Sequence, residues 1–277
     1  MQIISAGSQK AAVWISGYVT GNIARVDLAN DLADAVERGQ IEAYFQPQVD
    51  VVSGAVVAAE ALARWNHPVH GFLEPDLFIP VAEQNGLLDD LGVFMVDEAW
   101  RCAAQWANAR RPIDVSVNAS ATQLETEALT EHLERQAARY RLRSGTLIVE
   151  ITETREFDDL AAVASRLARL RAHGIGISID DFGAGFSTLA RLDALPATEL
   201  KVDISLVQDE TTEGYGALIE VVEHAHDRGI RVVAEGVETE GQRRRVELLR
   251  CQRAQGFLFA RPMTEAAFGK LLTRPIR

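Results

Sequence analysis

The sequence predicts an α/β fold, a closed (β/α)8 barrel of the TIM type whose first two strands form an antiparallel pair. Three observations carry that reading. From about residue 113 onward, strand-like and helix-like runs alternate, which favours a parallel sheet covered by helices. Two earlier strand-like runs, 42–50 and 55–63, are joined by Ser53-Gly54, a hairpin signal. Glu60, Asn118, Glu150, Asp180, Lys201, Glu235 and Gln255 each lie in or at the end of a different apolar run. An open doubly wound sheet satisfies the alternation equally well. The polar residues decide for the barrel, because barrel active sites are assembled one residue per strand at the C-terminal face.

Taken in order, the elements begin at Asp27, after which Leu28, Leu32, Ala35 and Val36 recur at helical spacing as far as Gly39, a helix-terminating glycine. Residues 1–26 match neither a periodic helix nor a strand pair, and read as an N-terminal extension or linker ahead of one domain over 27–277. After the hairpin come helical patterns at 76–84 and 88–107. Six further strands are expected at 113–118, 146–151, 175–180, 198–203, 230–235 and 254–259, making eight in all. Helical stretches near 126–140, 157–173, 214–228, 239–249 and 264–272 connect or follow them. A chain of 277 residues is a usual length for a single barrel.

Charge narrows the partners. With 28 Lys and Arg against 40 Asp and Glu, the net charge of −12 argues against binding polymeric DNA or RNA. A small phosphate ligand stays compatible, because divalent metals reverse the local sign of an acidic cleft. Cys102 and Cys251 are the only cysteines, too few for a disulfide framework or a thiolate zinc cluster, so a reducing cytoplasm is the expected compartment. Met1–Thr20 holds one short apolar patch, Ala11–Ile15, without a basic n-region, a long h-region or an 18-residue apolar span, and no transmembrane segment is expected.

A single acidic residue at a strand end is ordinarily a helix N-cap or a surface charge. Five carboxylates ending β-like runs are another matter, since a buried charge needs a partner or a metal. Oxygen donors from Asp, Glu and Asn suit hard ions such as Mg²⁺ or Mn²⁺ rather than zinc. Asp180-Asp181 offers a bridging position, as a two-metal phosphoryl-transfer site requires. The five carboxylates and Lys201 sum to −4, which two divalent ions neutralise. Histidine adds little: His224 and His226 face different sides of a helix, and His67 and His70 fall in a Pro/Gly-containing loop where turn chemistry explains them. The stretch Asp181 to Ser187 carries a Gly-x-Gly that is weak evidence for a phosphate loop but, beside two candidate ligands, reads as a lid or regulatory loop.

Ordered motifs then carry a resemblance. Tyr44-Phe45-Gln46-Pro47 precedes Glu60-Ala61-Leu62 with Arg64-Trp65, followed by Ser116-Val117-Asn118-Ala119-Ser120, Glu150-Ile151-Thr152-Glu153 and Asp180-Asp181-Phe182-Gly183. Leu200-Lys201-Val202-Asp203, Ala234-Glu235-Gly236-Val237-Glu238 and Gln255-Gly256-Phe257-Leu258-Phe259 complete the series. Over roughly 28–273 the chain resembles the EAL-domain cyclic di-GMP phosphodiesterases. The resemblance implies that Glu60, Asn118, Glu150 and Asp180 hold one Mg²⁺ or Mn²⁺ and that Asp180, Asp181 and Glu235 hold a second. It implies that Lys201 faces the attacking water, so that Lys201, Glu60, Asp181 and Glu235 form the catalytic group. Gln46, Leu62 and Arg64 are expected to contact cyclic di-GMP, with Gln255 near the site, Pro262 beside a guanine, and Glu153 anchoring the loop after Asp181. The implied product is linear pGpG and the implied assembly a homodimer through barrel helices. A receptor that had lost catalysis is expected to lack part of the metal set, and no member is missing here. The departures are Ala184, Phe186 and Thr188 in the loop, Ile204 where Arg is common, and Arg250 where Gly is frequent.

Overall fold

The computed structural model describes residues 22–107, 112–152, 157–184 and 188–273. They fall into two compact units, one within Met1–Glu42 and Arg64–Asp90, the other within Ala43–Ala63 and Leu91–Arg277. In the first unit the leading helix, α1 (Asn22–Ala33), starts earlier than the expected Asp27. It also stops sooner, and turns carry the chain to Gly39, whose φ of +64° suits glycine.

Strands β1 (Ile41–Asp50) and β2 (Val56–His67) lie mostly in the second unit. The far end of β2 pairs antiparallel with β3 (Gly71–Leu73), a strand too short for periodicity to reveal. Trp65 fills this region, edge-on to Phe78 of α2 (Pro75–Gln84) at 5.7 Å, its indole N–H donating to Gln40 Oε1 at 3.1 Å. His67 ends β2 instead of sitting in a loop, yet turn chemistry does hold it. Its Nδ1 accepts the backbone N–H groups of Val69 and His70, both at 3.1 Å, and its Nε2 meets the Asp31 carboxylate at 3.1 Å.

The second unit contains the barrel. After α3 (Leu88–Ala107) come β4 (Asp114–Ala119), β5 (Leu147–Thr152), β6 (Gly176–Phe182), β7 (Glu199–Val202), β8 (Arg231–Ala234) and β9 (Arg253–Gln255). Neighbours from β2 through β4 to β9 run parallel, β1 pairs antiparallel with β9, and a β1–β2 pairing closes the ring of eight. The predicted reversed first strand is therefore present. It turns at residues 51–55, where Asp50 N–H donates to the Ala55 carbonyl at 2.8 Å. Runs such as Leu147-Ile148-Val149-Glu150-Ile151 read as strands because both faces are covered, one by the barrel interior and one by helices. On the outer side Phe45 packs edge-on against Trp106 at 4.9 Å, and Trp106 against Phe268 at 4.8 Å.

The remaining helices are α4 (Ala121–Leu124), α5 (Ala128–Tyr140), α6 (Leu160–Ala172), α7 (Leu189–Ala194), α8 (Ile204–Val207), α9 (Thr212–Asp227), α10 (Glu240–Leu248) and α11 (Glu265–Leu272). The helix expected near 126–140 is α5, and it is preceded by a short helix not expected from the sequence, α4, fixed by a capping box between Ser120 and Gln123. The strand expected over 254–259 ends at Gln255. A side chain on Gly256 would come within 2.1 Å of the Val237 carbonyl, and the amides of Phe259 and Ala260 turn back onto the Gly256 carbonyl. A two-residue strand, β10 (Met263–Thr264), then pairs with β1. Arg250 adopts φ +60° just after α10, which is why glycine is at home there.

Period-2 alternation turns Gln48, Ser116, Ser178, Glu199 and Arg253, with Gln46, Glu60, Asn118, Glu150, Asp180, Lys201 and Gln255, toward the interior, which is polar where barrels are ordinarily filled by Val, Ile and Leu. At the N-terminal ends of the parallel strands, Arg253 bonds to Asp114 and reaches Glu199 at 3.3 Å, while Arg231 meets Glu199 at 2.9 Å and Arg143 meets Asp114 at 2.7 Å. This set ties β4, β7, β8 and β9 together. Arg253→Met is expected to lower stability by about 3 kcal/mol in urea denaturation, because it leaves two buried carboxylates short of a partner.

Candidate active site

Lys201, third residue of β7, is 1% exposed. Its Nζ lies 2.8 Å from Glu150, 2.9 Å from Glu235, 3.0 Å from Asp180 and 3.6 Å from Glu60. The carboxylates come from β2, β5 and β6 and from the first residue after β8. Glu60 also accepts from Asn118 Nδ2 at 3.0 Å and from Gln255 Nε2 at 2.6 Å. The same Gln255 nitrogen donates to Gln46 Oε1 at 3.0 Å, and Gln46 Nε2 reaches the Ala260 carbonyl at 3.3 Å. Gln255, expected beside the substrate, thus braces Glu60 against Gln46. That link joins residues 195 positions apart, and no local signal announces it.

Two consecutive residues of a regular strand point to opposite faces, so Asp180 and Asp181 should not share a site. A bulge resolves this. The β6–β7 register shifts between Ile179 and Phe182, and Asp181 takes φ +55° in the left-handed region. Asp180 Oδ1 accepts the Asp181 N–H at 2.9 Å, fixing the bend. Carboxylate oxygens then gather in two groups, Glu60 with Glu150 and Asp180, and Asp180 with Asp181 and Glu235, each within 4.8 Å of one another and sharing Asp180.

Electrostatics follow from the crowding. Burial pulls the Lys201 ammonium down, but Asp180, Glu150, Glu235 and Glu60 together push it well above its usual value. Burial pushes Glu150 and Glu235 well up, and raises Asp180. Asp181 is pushed up to about 6 by burial and by the neighbouring Asp180 charge. Glu60 alone is held below its usual range, because Lys201, Gln255 and Asn118 outweigh its burial. One ammonium does not satisfy these groups: Glu150 Oε1 is buried without a hydrogen-bond partner among the described residues. An all-oxygen donor set with surplus negative charge and an unmatched buried oxygen fits hard divalent cations.

Leu62 is half-buried two residues beyond Glu60 on β2, and Pro262 is half-buried just before β10. Arg64 is buried further along β2, in the first unit. Glu153 lies outside the described residues, as do Gly185 to Ser187 of the expected loop. Thr188 caps α7 by accepting the Arg191 N–H at 3.3 Å, which serine would do equally.

Residues 29–262 match the family model described as EAL domain. The chain belongs to the EAL domain family. It is 37% identical over 248 residues to the cyclic di-GMP phosphodiesterase RocR of Pseudomonas aeruginosa, covering 89% of this chain and 63% of RocR. With the bifunctional diguanylate cyclase/cyclic di-GMP phosphodiesterase MucR of the same organism it shares 38% over 242 residues, 86% of this chain and 35% of MucR. The chain therefore spans about a third of MucR and under two thirds of RocR. The structure of the PaMucR phosphodiesterase in complex with c-di-GMP matches at a TM-score of 0.81 with 37% identity, covering 87% of this chain and 99% of that one.

The raised Asp181 carboxyl sets a pH dependence. Between about 3.8 and about 6 the folded protein holds a proton that the unfolded chain has released, so stability falls as pH rises through this window. Asparagine carries no charge to penalise. In chelator, Asp181→Asn is expected to gain thermal stability relative to the parent as pH is raised from about 4 to about 6, and a gap that stays constant in paired melting curves would contradict the assignment.

Proposed function

We propose that this chain hydrolyses cyclic di-GMP to linear pGpG. The observation that carries the reading is the pair of carboxylate groups sharing Asp180 around Lys201, on a barrel of the EAL family whose relatives include named cyclic di-GMP phosphodiesterases. Glu60, Asn118, Glu150 and Asp180 would hold one Mg²⁺ or Mn²⁺, and Asp180, Asp181 and Glu235 the other. Bound there, such ions lower the pKa of water and draw charge from phosphoryl oxygens.

Lys201 donates a hydrogen bond to the attacking water and keeps it in line with one phosphorus. The new P–O bond forms as the bond to the ribose 3′ oxygen breaks, and that oxygen leaves as a hydroxyl. Arg64 grips the phosphate, a task suited to a planar guanidinium, while Gln46, Leu62 and Pro262 orient the nucleotide. Gln255 keeps Gln46 and Glu60 in fixed relation. We read 27–277 as the phosphodiesterase domain, 1–26 as an extension, and the working form as a cytoplasmic homodimer. No helix among the described residues is long and apolar enough to cross a membrane.

Chelator-treated protein should be inactive on cyclic di-GMP and regain activity with Mg²⁺ or Mn²⁺, with pGpG resolved by chromatography. Full turnover without metal would overturn the reading. Two variants separate the roles. Lys201→Ala should bind substrate but lose about a hundredfold in kcat, because its contact strengthens with charge developing in the transition state. Arg64→Ala should raise KM with kcat nearly kept. Calorimetric titration alongside steady-state kinetics checks both, and a Lys201→Ala protein that keeps kcat but loses binding refutes the assignment.

A further inference from the structure

The four-residue helix α8 follows Lys201 and Asp203 and stands between the two backbone segments that carry Asp181 and Glu235. On one side the Asp203 N–H donates to the Phe182 carbonyl at 3.0 Å, and its carboxylate caps the helix through Ser205 N–H at 2.8 Å. Leu206 covers Gly183, where an added Cβ would meet its Cδ2 at 3.2 Å. On the other side Ile204 lies against Gly236 so closely that an added Cβ would come within 2.1 Å of its Cγ1. Gln208, the residue ending α8, donates from Nε2 to the Gly236 carbonyl at 2.7 Å. Both glycines have positive φ, +107° and +63°, and each follows a member of the second carboxylate group within two residues.

The contacts are selective. Strand β7 has β6 and β8 as neighbours, so the helix that follows it reaches the ends bearing Asp181 and Glu235, whereas Glu60 and Glu150 stand on β2 and β5. Ile204, 41% exposed, is held as a wedge on the Glu235-Gly236 turn. We propose that α8 is a bracket setting the spacing between Asp181 and Glu235, and that Gln208 is a positioning residue for Glu235, acting on the second cation position and not on the first. This rests on the two-cation reading above.

The test is Mn²⁺ binding, followed by electron paramagnetic resonance of the free ion, on the full chain and on Gln208→Met, which keeps the length and removes the donor. The parent should take up two ions. Gln208→Met should retain the first binding step and weaken the second by about tenfold, the scale on which groups behind metal ligands act. Ile204→Ala, which removes the wedge without touching a hydrogen bond, should weaken the same step. Thermal denaturation in chelator should show both variants folded. A parent that binds one ion overturns the two-cation reading, and the bracket with it. A parent that binds two, with variants in which both steps shift equally or neither shifts, overturns the bracket alone.

Discussion

The Lys201 ammonium among four carboxylates is the interaction on which the candidate site and its end of the barrel depend. A carboxylate fully buried like Glu150 is tolerable only with a charged partner, and one lysine supplies that partner to several strands at once. The arrangement draws the middle of β2 and the C-terminal ends of β5, β6 and β8 around the end of β7. One positive charge does not balance the ring, and the surplus makes it receptive to cations. Fold and chemistry share one cause: the same electrostatic deficit holds the interior polar and selects what enters it.

Backbone geometry does the remaining work of the site. Asp180 and Asp181 act together only because the bulge opposite Lys201 breaks the alternation, and the left-handed Asp181 is the local cost of that break. Gln255 and Asn118 then fix which way Glu60 presents its oxygens. Glu60 and Asp181 are therefore held by hydrogen bonds and by a bend of the backbone.

Much of this was legible in the sequence, for a physical reason. A charged residue inside an apolar run, such as Glu150 in Leu147–Thr152, has no cheap explanation, and the strands on either side are long enough for pattern to show. The reversed first strand announced itself through Ser53-Gly54. What escaped pattern was short or non-local. Strands β3 and β10 and helix α8 are too brief for any period, and β9 ends where it does because Gly256 meets Val237 from another loop. Asp114, Glu199 and Arg253 look in sequence like surface charges at strand starts, and only closure of the ring turns them toward one another. Arg250 stood out as a departure from a family glycine, but its reason, a positive φ, is visible only in the backbone.

That ion-paired set at the opposite mouth of the barrel has a bearing on descent. It joins four strands without using any candidate ligand, so that end of the vessel is held by residues outside the candidate site. A lineage can then exchange the upper carboxylates one by one without dismantling the architecture. Changes at the candidate site and changes to the fold fall on opposite ends of the same cylinder, and a descendant with an altered upper mouth inherits an intact scaffold on which another use can be built.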